Sequence, residues 1–235
     1  MGQIIKLISK QQEQIELTLF DKIKANRLEV YDENDTTLRD YIDSEGFKQV
    51  RYRDEYVGGV WLNPIGGAAP DLVTVAIGGV STQKYSFDGN NTEERLANSF
   101  EIAHDVPIYL VNNGDLKLEW HVHARPSSNN AGVVKWFFDW SYTPPPIEGV
   151  AQSPIAMTTL TCLQTIAANS QYKHVLCGTE MPVPLGGYQI GGIISFNLRR
   201  TPTDSQDTYG YDILLIKTAL HVPTDDRGSR QRYVK

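Results

Sequence analysis

The feature that most constrains this chain is a pair of adjacent segments with strict two-residue alternation. In residues 116–125, Leu116, Leu118, Trp120, Val122 and Ala124 fall on one side, and Lys117, Glu119, His121, His123 and Arg125 on the other. Successive side chains of a strand point to opposite faces, so this pattern predicts a strand with one face in a core and one polar face. A turn-forming stretch follows, Pro126-Ser127-Ser128-Asn129-Asn130-Ala131-Gly132. A second strand then places Val134, Trp136, Phe138, Trp140 and Tyr142 on a single side. Five large apolar groups on one strand face need an opposing sheet to cover them, which predicts a two-layer sandwich with these aromatics at its heart.

The rest of the chain from residue 57 fits that frame. Short apolar or alternating runs at 71–77, 83–87, 99–103, 156–163, 173–177, 189–198 and 211–222 are separated by Gly, Pro, Asn and Asp clusters. With 19 Gly and 12 Pro among 235 residues, about ten strands and long connections favour an all-β, jelly-roll-like β-sandwich over a closed barrel. Exposed Trp or Tyr on loops could stack on sugars, yet Trp61, Trp120, Trp136 and Trp140 mostly fit core positions. The expected organisation is an attachment or oligomerisation segment at 1–56, the sandwich at 57–224 and an exposed polar tail at 225–235.

Residues 1–56 are rich in charge and contain no proline. Ile5, Ile8, Ile15 and Leu19 lie near heptad spacing, which suits a short coiled coil. Ile15, Leu17 and Leu19 also alternate with polar residues, which suits a strand, and the two readings stay open. The stretch Asp32-Glu33-Asn34-Asp35-Thr36-Thr37 reads as a turn or helix cap, with Leu38, Tyr41 and Ile42 forming one face of a short helix after it. The segment has too little apolar material for a core of its own and is expected to dock on something else.

Charge and motifs exclude several function classes. A formal net charge of −6 argues against a protein that coats nucleic acid, which needs a basic surface to displace counterions. The start of the chain lacks a secretory pattern and no stretch has the length of a membrane helix, so synthesis is expected to finish in the cytoplasm with no membrane partner. Cys162 and Cys177 have no C-x-x-C spacing and are expected as two reduced thiols in or near the core. There is no nucleophile elbow, phosphate-binding loop, His-Glu-x-x-His or dinucleotide fingerprint, and the paired acids Glu93-Glu94 and Asp225-Asp226 read as solvated turns rather than glycosidase acids. No enzymatic activity is expected.

One constellation can carry chemistry. His121 and His123 share a strand face and can grip one metal ion, provided a third ligand comes from His104, His174, His221, a carboxylate or another subunit. Cupins, also jelly rolls, carry a His-x-His pair followed closely by a glutamate. Here Ser127 and Ser128 stand where that glutamate belongs. Apart from that pair, no cofactor is expected.

Several segments together resemble a family of tailed-bacteriophage structural proteins. They are Gly59-Val60-Trp61, Tyr85-Ser86-Phe87-Asp88-Gly89, Glu101-Ile102-Ala103-His104-Asp105, and Trp120-His121-Val122-His123-Ala124-Arg125-Pro126. The likeness continues through Gly132-Val133-Val134-Lys135-Trp136, Arg199-Arg200 with Asp207-Thr208-Tyr209, and the ending from His221 to Arg230. They span roughly 58–235, about three quarters of the chain. The chain departs from the family's pattern where a Pro and often a further His precede the paired histidines, since Leu118-Glu119-Trp120 stand there. The resemblance implies a virion protein: a homotrimeric head-fibre, collar or decoration module contacting capsid, portal, neck or tail proteins. A receptor-binding module for host surface glycans is the alternative, and a cupin-like metalloprotein comes after it. Jelly rolls on phages are commonly trimeric, and residues 1–56 match nothing in the family.

Overall fold

The computed structural model describes residues 28–31, 38–43, 46–49 and 51–224, apart from 67, 91 and 149. It contains two compact units, and the second begins at Tyr52. In the first, β1 (Leu28–Tyr31), β2 (Leu38–Asp43) and β3 (Gly46–Gln49) form an antiparallel sheet in the order β1-β2-β3. The short helix expected at Leu38, Tyr41 and Ile42 is therefore a strand. A helix of this length closes too few hydrogen bonds to repay its nucleation, whereas β2 is paired on both edges, Leu28 opposite Ile42 and Ile42 opposite Phe47. Ile5, Ile8, Ile15 and Leu19 lie outside the described residues, as does the tail at 225–235.

The second unit is a sandwich of two antiparallel sheets. Its strands are β4 (Arg51–Gly58), β5 (Asn63–Pro64), β6 (Asp71–Ile77), β7 (Val80–Phe87), β8 (Glu94–Glu101), β9 (Leu118–Pro126), β10 (Gly132–Thr143), β11 (Thr158–Ile166), β12 (Val175–Met181), β13 (Ile193–Arg200) and β14 (Ile213–Thr224). One sheet runs β11-β10-β13-β8-β5 and the other β12-β9-β14-β7-β6, with β4 also paired to β14. The last eight strands thus pair as β7-β14-β9-β12 facing β8-β13-β10-β11, which is the jelly-roll order. A short helix, α1 (Ile108–Asn113), bridges β8 and β9 and ends at Gly114, whose φ of 84° supplies the left-handed cap. Among the described residues no helix is long and apolar enough to cross a membrane.

The alternating segments build the core. Leu118, Trp120, Val122 and Ala124 of β9 face Val134, Trp136, Phe138, Trp140 and Tyr142 of β10, and all are buried. Trp120 stacks on Phe138 at 4.6 Å between centroids, Phe138 on Phe196 at 4.9 Å, and Phe196 on Phe100 at 4.9 Å, so one aromatic column crosses between the sheets. The indoles are anchored at their polar ends: Trp120 Nε1 donates to Thr218 Oγ1 at 2.8 Å and Trp136 Nε1 to Gln164 Oε1 at 2.9 Å.

A buried charge pair fixes the loop between β13 and β14. The Arg200 guanidinium, fully buried, makes a two-pronged contact with Asp207 at 2.9 Å through each prong, and also donates to the carbonyls of Phe87, Tyr209 and Tyr211. Every guanidinium nitrogen is satisfied, the condition under which a buried ion is tolerated. Gly89 and Gly132 let this loop lie flat on the sheets: a Cβ on Gly89 would come within 2.3 Å of the Tyr211 backbone, and one on Gly132 within 2.8 Å of Tyr209 Cα.

Two further expectations are corrected. Cys162 and Cys177 are not separate thiols but a disulfide, with a Cα–Cα distance of 6.2 Å within the usual span. They sit on β11 and β12, the edge strands of opposite sheets, and the jelly-roll order brings those edges together. Trp61 is not in the core: it is 76% exposed at the end of a 3-10 turn, Gly59–Trp61, that follows β4.

Candidate metal centre

The site grows from the polar face of β9. The strand lies between β12 and β14, so its outward side chains have neighbours on both flanks. On the β14 side His123 is opposite Lys217, His121 opposite Ala219, and Glu119 opposite His221. On the β12 side His123 is opposite Leu176 and His121 opposite Gly178. β4 adds Tyr52, Asp54 and Tyr56 beside β14. Four of the five histidines gather here: His174 stacks on His123 at 5.1 Å, and His121 on His221 at 5.2 Å, while Tyr52 closes the row against His221 at 4.7 Å.

Within this row, Asp54, His121 and His221 offer one ligand atom each, and all three atoms lie within 4.8 Å of one another. His221 Nδ1 is 3.1 Å from Asp54 Oδ1, while Lys217 Nζ donates to Asp54 Oδ2 at 2.8 Å. Burial pushes the Asp54 carboxyl up, but the hydrogen bonds and charges of Lys217 and His221 outweigh it and hold it at about 2. It is a carboxylate at neutral pH. His121 Nε2 lies 3.1 Å from Glu119 Oε2. The His121 ring lies over Gly178: a Cβ there would come within 2.4 Å of His121 Cδ2, so only glycine leaves the ring its place.

His123 takes a different partner. Its Nδ1 is 2.9 Å from His174 Nε2, one ring donating to the other, and its Nε2 is buried with no hydrogen-bond partner. Burial, followed by the Lys217 and His174 charges, pushes the His123 imidazole down to about 4, so it is neutral in the fold. The two histidines singled out in the sequence share a face as expected, but they belong to different pairs. His104 lies elsewhere, lining a groove of about 430 Å³ with Glu55, Tyr56, Ser99 and Glu101.

Asp54 was not legible among the charges of residues 51–55. The available signal is the alternation of Tyr52, Asp54 and Tyr56, which predicts a strand face. His221 and His174 carried no local signal, because register between distant strands alone brings them to β9.

Two imidazoles and a carboxylate on one sheet face form a donor set suited to a borderline divalent cation. Fold and face together define a jelly-roll sandwich protein with a histidine-lined sheet surface. No protein-family model matches the chain, and no curated protein matches it.

Proposed function

We propose that the chain is a structural protein of a tailed-bacteriophage particle, a head-fibre, collar or decoration module. In this reading it works as a homotrimer anchored to capsid, portal, neck or tail proteins through residues 1–56. The observation that supports it is the use the fold makes of the segments that carry the resemblance. Trp120 and Trp136 are core, Gly89 and Gly132 seat the loop between β13 and β14, and Arg200 with Asp207 clamps that loop. What those segments encode is chiefly the frame of the sandwich, which is what a structural role asks of them. The reading gives the protein no catalytic role.

The test is in two parts. Light scattering of the full chain should give about 79 kDa, three times the 26.4 kDa of one chain, and antibody labelling should find the protein on purified particles at a copy number divisible by three. A monomer in solution together with absence from particles removes the proposal.

A second reading, binding of host surface glycans, is favoured by one observation. Trp61 is exposed beside Asn98, which donates to its carbonyl at 3.1 Å, and Tyr56 is exposed on the rim of the groove lined by Glu55, Glu101 and His104. Exposed aromatic faces next to carboxylates are what a sugar ring stacks on. A glycan array with the full chain separates the readings: a hit lost in Trp61→Ala supports glycan recognition, and a blank array leaves the particle role as the function.

A further inference from the structure

We propose that Asp54, His121 and His221 bind one divalent cation of the zinc class, and that this ion fastens β4 to β9 and β14. The proposal is independent of the particle role, since it concerns only how the outer face of the six-stranded sheet is held.

The geometry is close to what such an ion needs. Nitrogen and oxygen ligands of a tetrahedral zinc lie at about 2.0–2.1 Å from the metal, which puts neighbouring ligands about 3.3 Å apart. Asp54 Oδ1 and His221 Nδ1 already stand at 3.1 Å, near one edge of that tetrahedron. All three donor atoms lie within 4.8 Å of one another. Glu119 Oε2 lies 3.1 Å from His121 Nε2, at the edge of the triad. Lys217 does not compete for the same atom: it holds Oδ2 at 2.8 Å and so orients the carboxylate with Oδ1 toward His221. An outer partner that fixes a ligand in this way is common at metal sites. Imidazole nitrogens with a single carboxylate select zinc and its neighbours over calcium or magnesium, which take oxygen ligands.

The three ligands come from three strands. Among the described residues the strand β4 pairs with is β14, whereas β14 and β9 are inside the sheet. An ion at this point therefore ties an edge element to two strands already held on both flanks.

The experiment uses the full chain stripped with a chelator, then titrated with Zn(II), with Ca(II) as the control. Calorimetry should give one Zn(II) per chain and no Ca(II) uptake, thermal melting should shift upward with Zn(II), and Co(II) should give the visible bands of a tetrahedral site. His121→Ala and His221→Ala should each abolish all three effects. Because either variant can disturb folding, Gly178→Ala is the second arm. It removes no ligand but displaces the His121 ring, and it should weaken Zn(II) by about tenfold or more, as loss of a ligand's support does. His174→Ala, outside the triad, should bind as the parent does. The assignment is overturned if the parent takes up no Zn(II), or if His121→Ala and Gly178→Ala, folded by circular dichroism, bind like the parent. It is overturned equally if uptake is lost in His174→Ala instead, which would place the ion on the His123–His174 pair.

Discussion

Two buried ionisable side chains pull the stability of the sandwich in opposite directions with pH. Glu94 is buried on β8, with Oε2 accepting from the Asp88 amide at 2.6 Å. Burial, together with the charges of Asp88, Asp71 and Asp212, pushes its carboxyl from 4.5 to about 7, against the opposing Asp88 hydrogen bond. The fold prefers the protonated form, so this contribution is whole below pH 4.5 and is lost as the pH rises to about 7. Glu94→Gln keeps an acceptor for the Asp88 amide, and above pH 7 it should be more stable than the parent by about 2 kcal/mol, with no gain below pH 4.5. Denaturant melts at the two pH values check this, and equal gains at both would refute it. His123, held at about 4, acts the other way: its contribution is whole above its ordinary value of 6.5 and is lost as the pH falls toward 4. Arg200 and Asp207 make a third residue-scale case. Asp207→Ala leaves a buried guanidinium without its counter-ion and should cost about 3–5 kcal/mol in chemical denaturation. A cost under 1 kcal/mol would mean that the carbonyls of Phe87, Tyr209 and Tyr211 alone suffice.

At the scale of elements, the sequence was most legible where burial is one-sided. β6 has the bounds that its alternation predicts, and β9 and β10 show their inward and outward faces as read, because a slip of one residue would turn Trp120 or Phe138 to solvent. β8 was read short, as residues 99–103, and the paired acids Glu93 and Glu94 before it were read as a solvated turn. Glu94 is in fact buried at the strand's start. The disulfide was illegible for a topological reason: Cys162 and Cys177 are 15 residues apart, and only the placement of β11 and β12 on opposite sheets brings them together. A bridge closing a loop of this length restricts the unfolded chain by about 3 kcal/mol. The Cys162→Ser, Cys177→Ser double variant should therefore lose about that much in denaturant without a change of fold by circular dichroism. A loss below 1 kcal/mol would show that the edge-strand contacts already hold the two sheets there. The site was half legible on the same logic, since the His121 and His123 spacing is local to one strand while Asp54, His174 and His221 depend on pairing across the whole chain.

For the whole molecule, the decisive feature is that β4, which opens the sandwich, pairs with β14, which closes it. Among the described residues β14 is the strand that β4 pairs with, so nearly the whole length of the unit must be synthesised before that pairing can form. Until then β9 and β7 each wait with an unsatisfied edge, because β14 is the strand that fills the place between them. Such end-to-end closure carries a large entropic cost before any contact repays it, and folds dominated by distant pairing assemble in milliseconds to seconds rather than microseconds. A ribosome-bound chain ending before Ile213 would therefore present two open sheet edges to its neighbours, so that premature termination turns a closed sandwich into a seed for aggregation.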